Sequence, residues 1–227
     1  PGRNVYPVDA TREEIDAFLA KYGGERDALL AERTVVRRVT RNVLQKDQAT
    51  LNAFALLRGL HPGLLEQLKR LQTTPDPTAF YAVPYPVAWP DDLVPAYSTL
   101  MRAANTLQKT DSEFARYLRN RGRDLITNDY ESGDAAWVTG RFQRLNAQIG
   151  SYEKYDDALY GVKAFHTMST LLAEEKPTGE LRKPVGGLQA IEDALPYDAH
   201  KRVKEDIPVG VYEVIADFGQ ARGTNTA

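Results

Sequence analysis

The fold and the candidate site both depend on one stretch, LNAQIGSYEKYDDALYGVKAF, which runs from Leu145 to Phe165. Its middle part, residues 148–155, is predicted to be a strand, in which successive side chains point to opposite faces. This alternation predicts one face formed by Ile149, Ser151, Glu153 and Tyr155. Glu153 and Tyr155 would then lie side by side, roughly 6 to 7 Å apart along the strand.

These two side chains have complementary chemistry. A carboxylate such as that of Glu153 can hold an ammonium group through charge-assisted hydrogen bonds. A phenol such as that of Tyr155 can donate a hydrogen bond to a developing oxyanion. The stretch is therefore a candidate site, and the residues alone leave open the alternative of a solvent-facing strand edge.

Residues 1–90 are predicted to be a helical region that ends in a proline-rich connector. Thr11 and Glu14 have capping-box spacing at the start of the first helix. A second helix is expected over residues 25–45. Its arginines are predicted to form a solvated face, and they are Arg33, Arg37, Arg38 and Arg41. Residues 74–95 contain six prolines, which predicts an extended connector.

Residues 91–227 are predicted to combine helices with a small sheet that carries the candidate site. A second capping box at Thr110 begins a helix, and a polar loop is expected over residues 128–134. Residues 157–173 have apolar side chains at helical spacing, which predicts a helix. Residues 174–190 are expected to be a linker or an exposed loop.

The last predicted element is a strand over residues 206–218, which are rich in β-branched side chains. Few other segments could pair with it, so we expect a longer protein that continues past Ala227. The fold class predicted for the whole chain is α+β, mainly α-helical with a small β-sheet or barrel portion.

The composition excludes several classes of protein and site. The chain has 227 residues, enough for one large domain or two small ones, and its 29 basic and 31 acidic side chains give a net charge of −2. Nucleic acid is therefore not an expected partner. The chain has no cysteine, which excludes disulfides and thiolate metal sites. It has no run of roughly 18 apolar residues, so we expect a soluble protein without a membrane partner.

The histidines are few and far apart. His61, His166 and His200 are the three in the chain, and none begins the HExxH motif that places two imidazoles on one helical face. Each is expected to be structural. No metal site is predicted from this chain alone.

Three segments share the order and spacing of motifs from one enzyme family. They are AYSTLMRAANTL (96–107), FARYLRNRGRDLITNDYESGDAAWV (114–138) and IGSYEKYDDALYGVKA (149–164). They resemble the bacterial branch of the dipeptidyl peptidase III family of zinc metallopeptidases. The matching positions are Asp129, Tyr130, Ser132, Asp134, Trp137, Ile149, Gly150, Glu153, Tyr155, Asp157, Gly161, Lys163 and Ala164. The end, ADFGQARGTNTA, resembles the segment before the family's "lPN" substrate-binding stretch, whereas residues 1–90 match less distinctly.

The resemblance implies a fold and three site residues. The implied fold is the non-zinc lobe of a two-lobed peptidase that releases dipeptides from the amino end of short peptides. The family's strand glutamate, at the position of Glu153, binds the peptide's free amine. Its tyrosine, at the position of Tyr155, is catalytic because it stabilises the tetrahedral intermediate. Thr167 stands where a second substrate-binding glutamate is expected, which predicts altered recognition of the amine.

The family's zinc motifs, HExxGH and a later glutamate helix, are absent from the 227 residues. We therefore expect an amino-terminal portion of a longer enzyme, whose carboxy-terminal lobe supplies zinc. The chain alone is expected to bind no catalytic zinc and to be inactive. Its expected partners are a short peptide substrate and the missing lobe, and exported relatives favour a periplasmic over a cytoplasmic location. A non-catalytic peptide-binding module and a helical interaction scaffold stay open as alternatives.

Overall fold

The computed structural model describes residues 3–204, 207 and 209–219. The helices are α1 (Arg12–Lys21), α2 (Arg26–Leu29), α3 (Arg41–Ala53), α4 (Ala55–Leu60), α5 (Pro62–Thr73), α6 (Tyr85–Ala88), α7 (Pro90–Leu107), α8 (Ser112–Thr127), α9 (Glu131–Thr139), α10 (Glu175–Val185) and α11 (Leu188–Asp193). The strands are β1 (Thr34–Val39), β2 (Asp76–Pro84), β3 (Leu145–Glu153), β4 (Phe165–Ala173) and β5 (Tyr212–Gly219). The predicted α+β class, mainly helical with a small sheet portion, is confirmed. None of the helices described is long and apolar enough to cross a membrane.

The first sheet pairs β1 with β2 in an antiparallel arrangement, with Thr34 opposite Pro84 and Arg38 opposite Phe80. The predicted helix over residues 25–45 is therefore wrong. The run TVVRRV of β1 is rich in β-branched residues, and pairing with β2 outweighs the helical spacing of its valines. The predicted connector is wrong as well, because it contains β2, α6 and the start of α7.

The arginines of β1 form ion pairs and do not make a solvated face. Arg37 Nε lies 3.1 Å from Asp47 Oδ2 on α3. Arg38 Nη2 lies 2.8 Å from Glu14 Oε2 on α1. These arginine side chains are only 20% and 15% exposed. Adjacent residues of a strand point to opposite faces, so each arginine meets a different helix.

Two hydrophobic clusters include residues of this sheet. The first contains Val5, Tyr6, Ile15, Leu19, Leu29, Val35, Val36, Phe80, Tyr85, Leu93, Leu125 and Tyr130. The second contains Val39, Leu44, Leu51, Leu57, Leu64, Leu68, Tyr81, Val83, Val87 and Ile126. Each draws residues from before and after residue 90, and the division into regions 1–90 and 91–227 stays a prediction.

Local capping signals set the starts of two helices. The capping box that begins α1 is confirmed. At α8 the N-cap is Asp111, whose Oδ1 accepts a hydrogen bond from Phe114 N at 3.0 Å, so the prediction of Thr110 is wrong by one residue. Helix α8 ends at Thr127 and is followed by its C-cap, Asn128, which has a left-handed φ of 68°. The predicted polar loop over residues 128–134 is shorter than expected, since α9 begins within it.

The second sheet has the strand order β3–β4–β5, and both pairs are antiparallel. The predicted strand over residues 148–155 is confirmed as far as Glu153, and the late strand is confirmed in β5. The predicted helix over residues 157–173 is wrong, because β4 occupies its second half and pairs on both edges. Strand β4 is thus the partner that β5 needs. The predicted linker over residues 174–190 is wrong where it contains α10.

Candidate functional site

The candidate site lies where β3 ends, and a bulge there shifts the predicted alternation. Ser151 pairs with His166, but the next paired residue of β3 is Glu153. Tyr152 is thus the additional residue of a bulge. Because β3 ends at Glu153, Tyr155 lies in the following turn and is 84% exposed. The predicted row of side chains along one strand face is therefore wrong.

The bulge brings Glu153 to the face of the sheet that carries Thr167. Glu153 is opposite Phe165, and Thr167 is opposite Gly150. Directly opposite residues share a face, as do residues two apart on β4, so Glu153 and Thr167 project to the same side. Thr167 Oγ1 also donates to Phe218 O on β5 at 3.3 Å. Two of the three predicted site residues thus share one face, and the roles of all three stay predictions.

The turn after β3 is organised by the carboxylate of Asp157, to which the sequence assigned no role. This buried carboxylate accepts hydrogen bonds, at 2.8 to 3.1 Å, from the backbone N–H groups of Leu159, Tyr160, Val162 and Lys163. It also accepts one from Tyr6 Oη at 2.9 Å. Burial alone would raise the pKa of Asp157, but the backbone hydrogen bonds outweigh it and lower that pKa. Gly161 allows the turn, since its φ is +68°.

Lys163 joins this turn to the residues before β1. Its fully buried Nζ donates to Ala31 O at 2.8 Å, to Thr34 Oγ1 at 2.7 Å and to Leu29 O. Burial lowers the pKa of Lys163 to about 7, and the charge of Asp157 opposes that shift. The family spacing was the signal for this residue, but its partners lie more than a hundred residues earlier in the chain.

Tyr152 is held beside the bulge by side chains from α8 and α9. Its ring covers Gly150, where an added Cβ would lie 2.1 Å from Tyr152 Cε2. Its hydroxyl donates to Asp134 Oδ1, which also accepts from Arg121 Nη2 at 2.8 Å. Burial and the hydrogen bond to Asp134 raise the pKa of Tyr152.

Burial likewise raises the pKa of Asp124 to about 6, although Arg121 lies 3.1 Å away and opposes this shift.

Arg33 contacts the same segment from the residues before β1. Its Nε donates to Ser151 O at 2.9 Å. Its guanidinium carbon lies 4.1 Å from the ring centroid of Tyr130 and 5.5 Å from that of Tyr152. The side chain is only 17% exposed, so its predicted place on a solvated face is wrong. The predicted helix over residues 25–45 placed Arg33 on a solvated face and so did not predict this contact.

The histidines do not form a metal site in the part of the chain that the structure describes. His61 Nε2 lies 2.9 Å from a carbonyl oxygen of α8, and His200 Nδ1 lies 2.8 Å from one of α11. His166 lies on β4, where burial and the nearby Arg33 lower its pKa to about 4. Among the described residues no group of three or more His, Cys, Asp or Glu side chains could hold a metal ion. These residues therefore do not fit a zinc centre.

No family model matches the chain, but solved structures match it along nearly its whole length. The structure of DPP III from Caldithrix abyssi has a TM-score of 0.70 and 26% sequence identity, and the match covers 95% of this chain and 34% of that one. The structure of dipeptidyl-peptidase III from Corallococcus sp. strain EGB has a TM-score of 0.67 and 25% identity, with 100% and 36% covered. The chain is similar to bacterial dipeptidyl peptidase III. The predicted resemblance is confirmed.

The chain spans about a third of the length of these dipeptidyl peptidase III chains, at 34% and 36%. A plant protein, Nudix hydrolase 3 of Arabidopsis thaliana, is 25% identical over 230 residues, which include 100% of this chain and 27% of that protein. Its name describes the whole plant protein, most of which lies outside the match. The similarity to dipeptidyl peptidase III therefore concerns one portion of longer proteins.

Proposed function

We propose that this chain is the substrate-binding portion of an exopeptidase similar to dipeptidyl peptidase III, which releases dipeptides from the amino end of short peptides. The observation that supports the proposal is the similarity to two dipeptidyl peptidase III structures over 95% and 100% of the chain. Since the chain spans about a third of those structures, at 34% and 36%, the activity belongs to a longer protein. A second lobe is then its partner.

In this proposal Glu153 binds the amino terminus of the peptide. The side chain is half-buried at the end of β3, and no ion pair to it is present among the described residues. The neighbouring Lys154, in contrast, is paired with Glu32. A partly desolvated carboxylate without a cation is well suited to accept charge-assisted hydrogen bonds from an ammonium group.

Thr167 is the residue at which the proposed amine site differs from the amine site of the family. It shares a sheet face with Glu153 and supplies a hydroxyl where a second carboxylate is expected. A hydroxyl can accept a hydrogen bond from the ammonium group but adds no negative charge. We therefore expect weaker attraction of the amine than a pair of carboxylates would provide.

Tyr155 is the proposed donor to the oxyanion of the tetrahedral intermediate. Its phenol is 84% exposed, so in this proposal the second lobe encloses it when the peptide is bound. Zinc in that lobe would activate the attacking water. The residues of this chain bind and orient the peptide.

The amine-binding role is tested by calorimetric titration of the chain with tetraalanine and with N-acetyl-tetraalanine. The unmodified chain is expected to bind the free-amine peptide about tenfold more tightly or better, the effect of one charged hydrogen bond. The substitution Glu153→Gln should abolish this preference. A matched control is Glu213→Gln, which neutralises an exposed carboxylate on β5 of the same sheet and should leave the preference intact.

Equal binding of the two peptides by the unmodified chain would contradict the proposed amine site. The peptidase activity is tested separately, with the longer protein that contains this portion. Mass spectrometry should detect dialanine released from tetraalanine. Binding of tetraalanine that leaves it intact would instead identify a peptide-binding module.

A further inference from the structure

The residues just before β1 are fixed between the two sheets. Glu32 O accepts a hydrogen bond from Ala164 N at 2.9 Å, directly before β4. The carbonyl oxygen of Arg33 accepts two, from Tyr85 N at 3.1 Å and from Asn128 Nδ2 at 2.9 Å. The backbone from which the Arg33 side chain extends is therefore held from two directions.

The side chain of Arg33 reaches from this backbone to the bulge of β3. Its Nε donates to Ser151 O at 2.9 Å, and Ser151 is the last paired residue before the bulge. Its guanidinium lies over the rings of Tyr130 and Tyr152, which meet edge to face with centroids 5.9 Å apart. One side chain thus contacts both the backbone before the bulge and the bulged residue.

A bulge leaves one residue of a strand unpaired and interrupts the ladder of backbone hydrogen bonds. Arg33 Nε donates a hydrogen bond to the Ser151 carbonyl oxygen directly before this interruption. A slip of one residue would move every later side chain to the other face. Glu153 would then point away from Thr167, so the face that Glu153 occupies depends on the presence of the bulge before it.

We propose that Arg33 is a positioning residue for Glu153: it fixes the bulge at Tyr152 and so places the Glu153 carboxylate on the face it shares with Thr167. This inference rests on the proposed amine-binding role of Glu153. Glu32 supports the same arrangement from the other side, because it contacts Arg33 Nη2 at 3.5 Å and pairs with Lys154, the residue after Glu153.

Two readouts of the Arg33→Gln variant test this inference. Amide hydrogen exchange, followed by NMR, should become at least about tenfold faster for residues 151–153 and for the β4 residues paired with them. The exchange rates of the amides that pair β4 with β5 should not change. The preference for tetraalanine over N-acetyl-tetraalanine should fall to about that of Glu153→Gln, within a factor of about three.

The matched control is Arg38→Gln. Arg38 lies on β1, and its side chain is 15% exposed, compared with 17% for Arg33. It pairs with two carboxylates, and its guanidinium carbon lies 5.0 Å from the Phe80 ring centroid. Its loss should lower stability but leave both the local exchange rates and the peptide preference unchanged. A purely structural role of Arg33 would make the two variants behave alike, which would overturn the inference.

Unchanged exchange around the bulge in Arg33→Gln would also overturn it. If this variant does not fold, Arg33→Lys replaces it, since lysine keeps the charge but lacks the Nε donor and the planar group that stacks on the rings. A chain without any preference for the free amine would contradict the proposed function alone. The exchange measurement would still decide whether Arg33 fixes the bulge.

Discussion

Residues 153–155 and residues 157–163 are neighbouring parts of one segment, and they differ in where their polar atoms find hydrogen-bond partners. In the later part of the turn that follows β3, residues 157–163, Asp157 accepts four backbone hydrogen bonds and one from a tyrosine, and buried Lys163 donates to three oxygens. At the candidate site, Glu153 has no ion pair among the described residues, and Tyr155 is 84% exposed. Both parts match the same family motif.

From this difference we propose that residues of one motif divide into a structural group and a binding group. A buried carboxylate or ammonium group must be satisfied within the protein, because its desolvation is costly. A carboxylate or phenol that still meets water can exchange that water for a ligand. We therefore expect substitutions in residues 157–163 to change stability, and substitutions of Glu153 or Tyr155 to change peptide binding.

The largest expected effect is that of Asp157→Ala. It leaves four backbone N–H groups and the Tyr6 hydroxyl without their acceptor. We expect a loss of about 3 to 5 kcal/mol in the free energy of unfolding, measured by urea titration. Asp156→Ala is the neighbouring control and should lose less than about 1 kcal/mol. Equal losses in the two variants would erase the distinction between a carboxylate that accepts five hydrogen bonds and its half-buried neighbour.

The second effect concerns Lys163 and depends on pH. The native pKa is lowered to about 7 from the ordinary 10.5, so between these values the unfolded chain holds a proton that the native chain has released. Stability should therefore rise with pH across this range, by up to about 1.4 kcal/mol per pH unit.

In Lys163→Met this contribution disappears, and the three oxygens around Nζ lose their polar partner. At pH 9 we expect the variant to be less stable than the unmodified chain by about 2 kcal/mol, and the difference should shrink toward pH 7. Thermal unfolding from pH 7 to pH 9.5 measures it. Lys69→Met, at an exposed ion pair on α5, should follow the unmodified chain. A difference that does not vary with pH would mean that Lys163 stays charged in the native protein.

The smallest expected effect is that of Tyr155→Phe. The ring is 84% exposed, so the free energy of unfolding should change by less than about 0.5 kcal/mol in the same urea titration. A larger loss would show that Tyr155 supports the fold, and the contrast between turn and site would then fail at this residue.

Local signals in the sequence were enough for several elements. The capping box of α1 depends on residues three positions apart, and β5 is rich in residues that favour strands. The sequence also singled out Glu153 and Thr167, through a resemblance and not through their contacts. It could not place them on one face, because strict alternation does not predict a bulge.

The errors occurred where structure depends on distant partners. Strands β1 and β4 have apolar residues at helical spacing, and each becomes a strand because another strand lies beside it. The same dependence concealed Arg33 and Lys163, whose hydrogen-bond partners lie 118 to 134 residues away in the chain.

The sequence by itself therefore determined the mixed α+β class, the N-terminal cap of α1, the family resemblance and the residue types of the candidate site. The tertiary structure decided which segments pair as β1 and β4, where the bulge interrupts β3, and that Glu153 and Thr167 share a face. The physical reason is that a capping hydrogen bond closes within one turn of helix, whereas strand pairing and the burial of a charge require groups from distant parts of the chain.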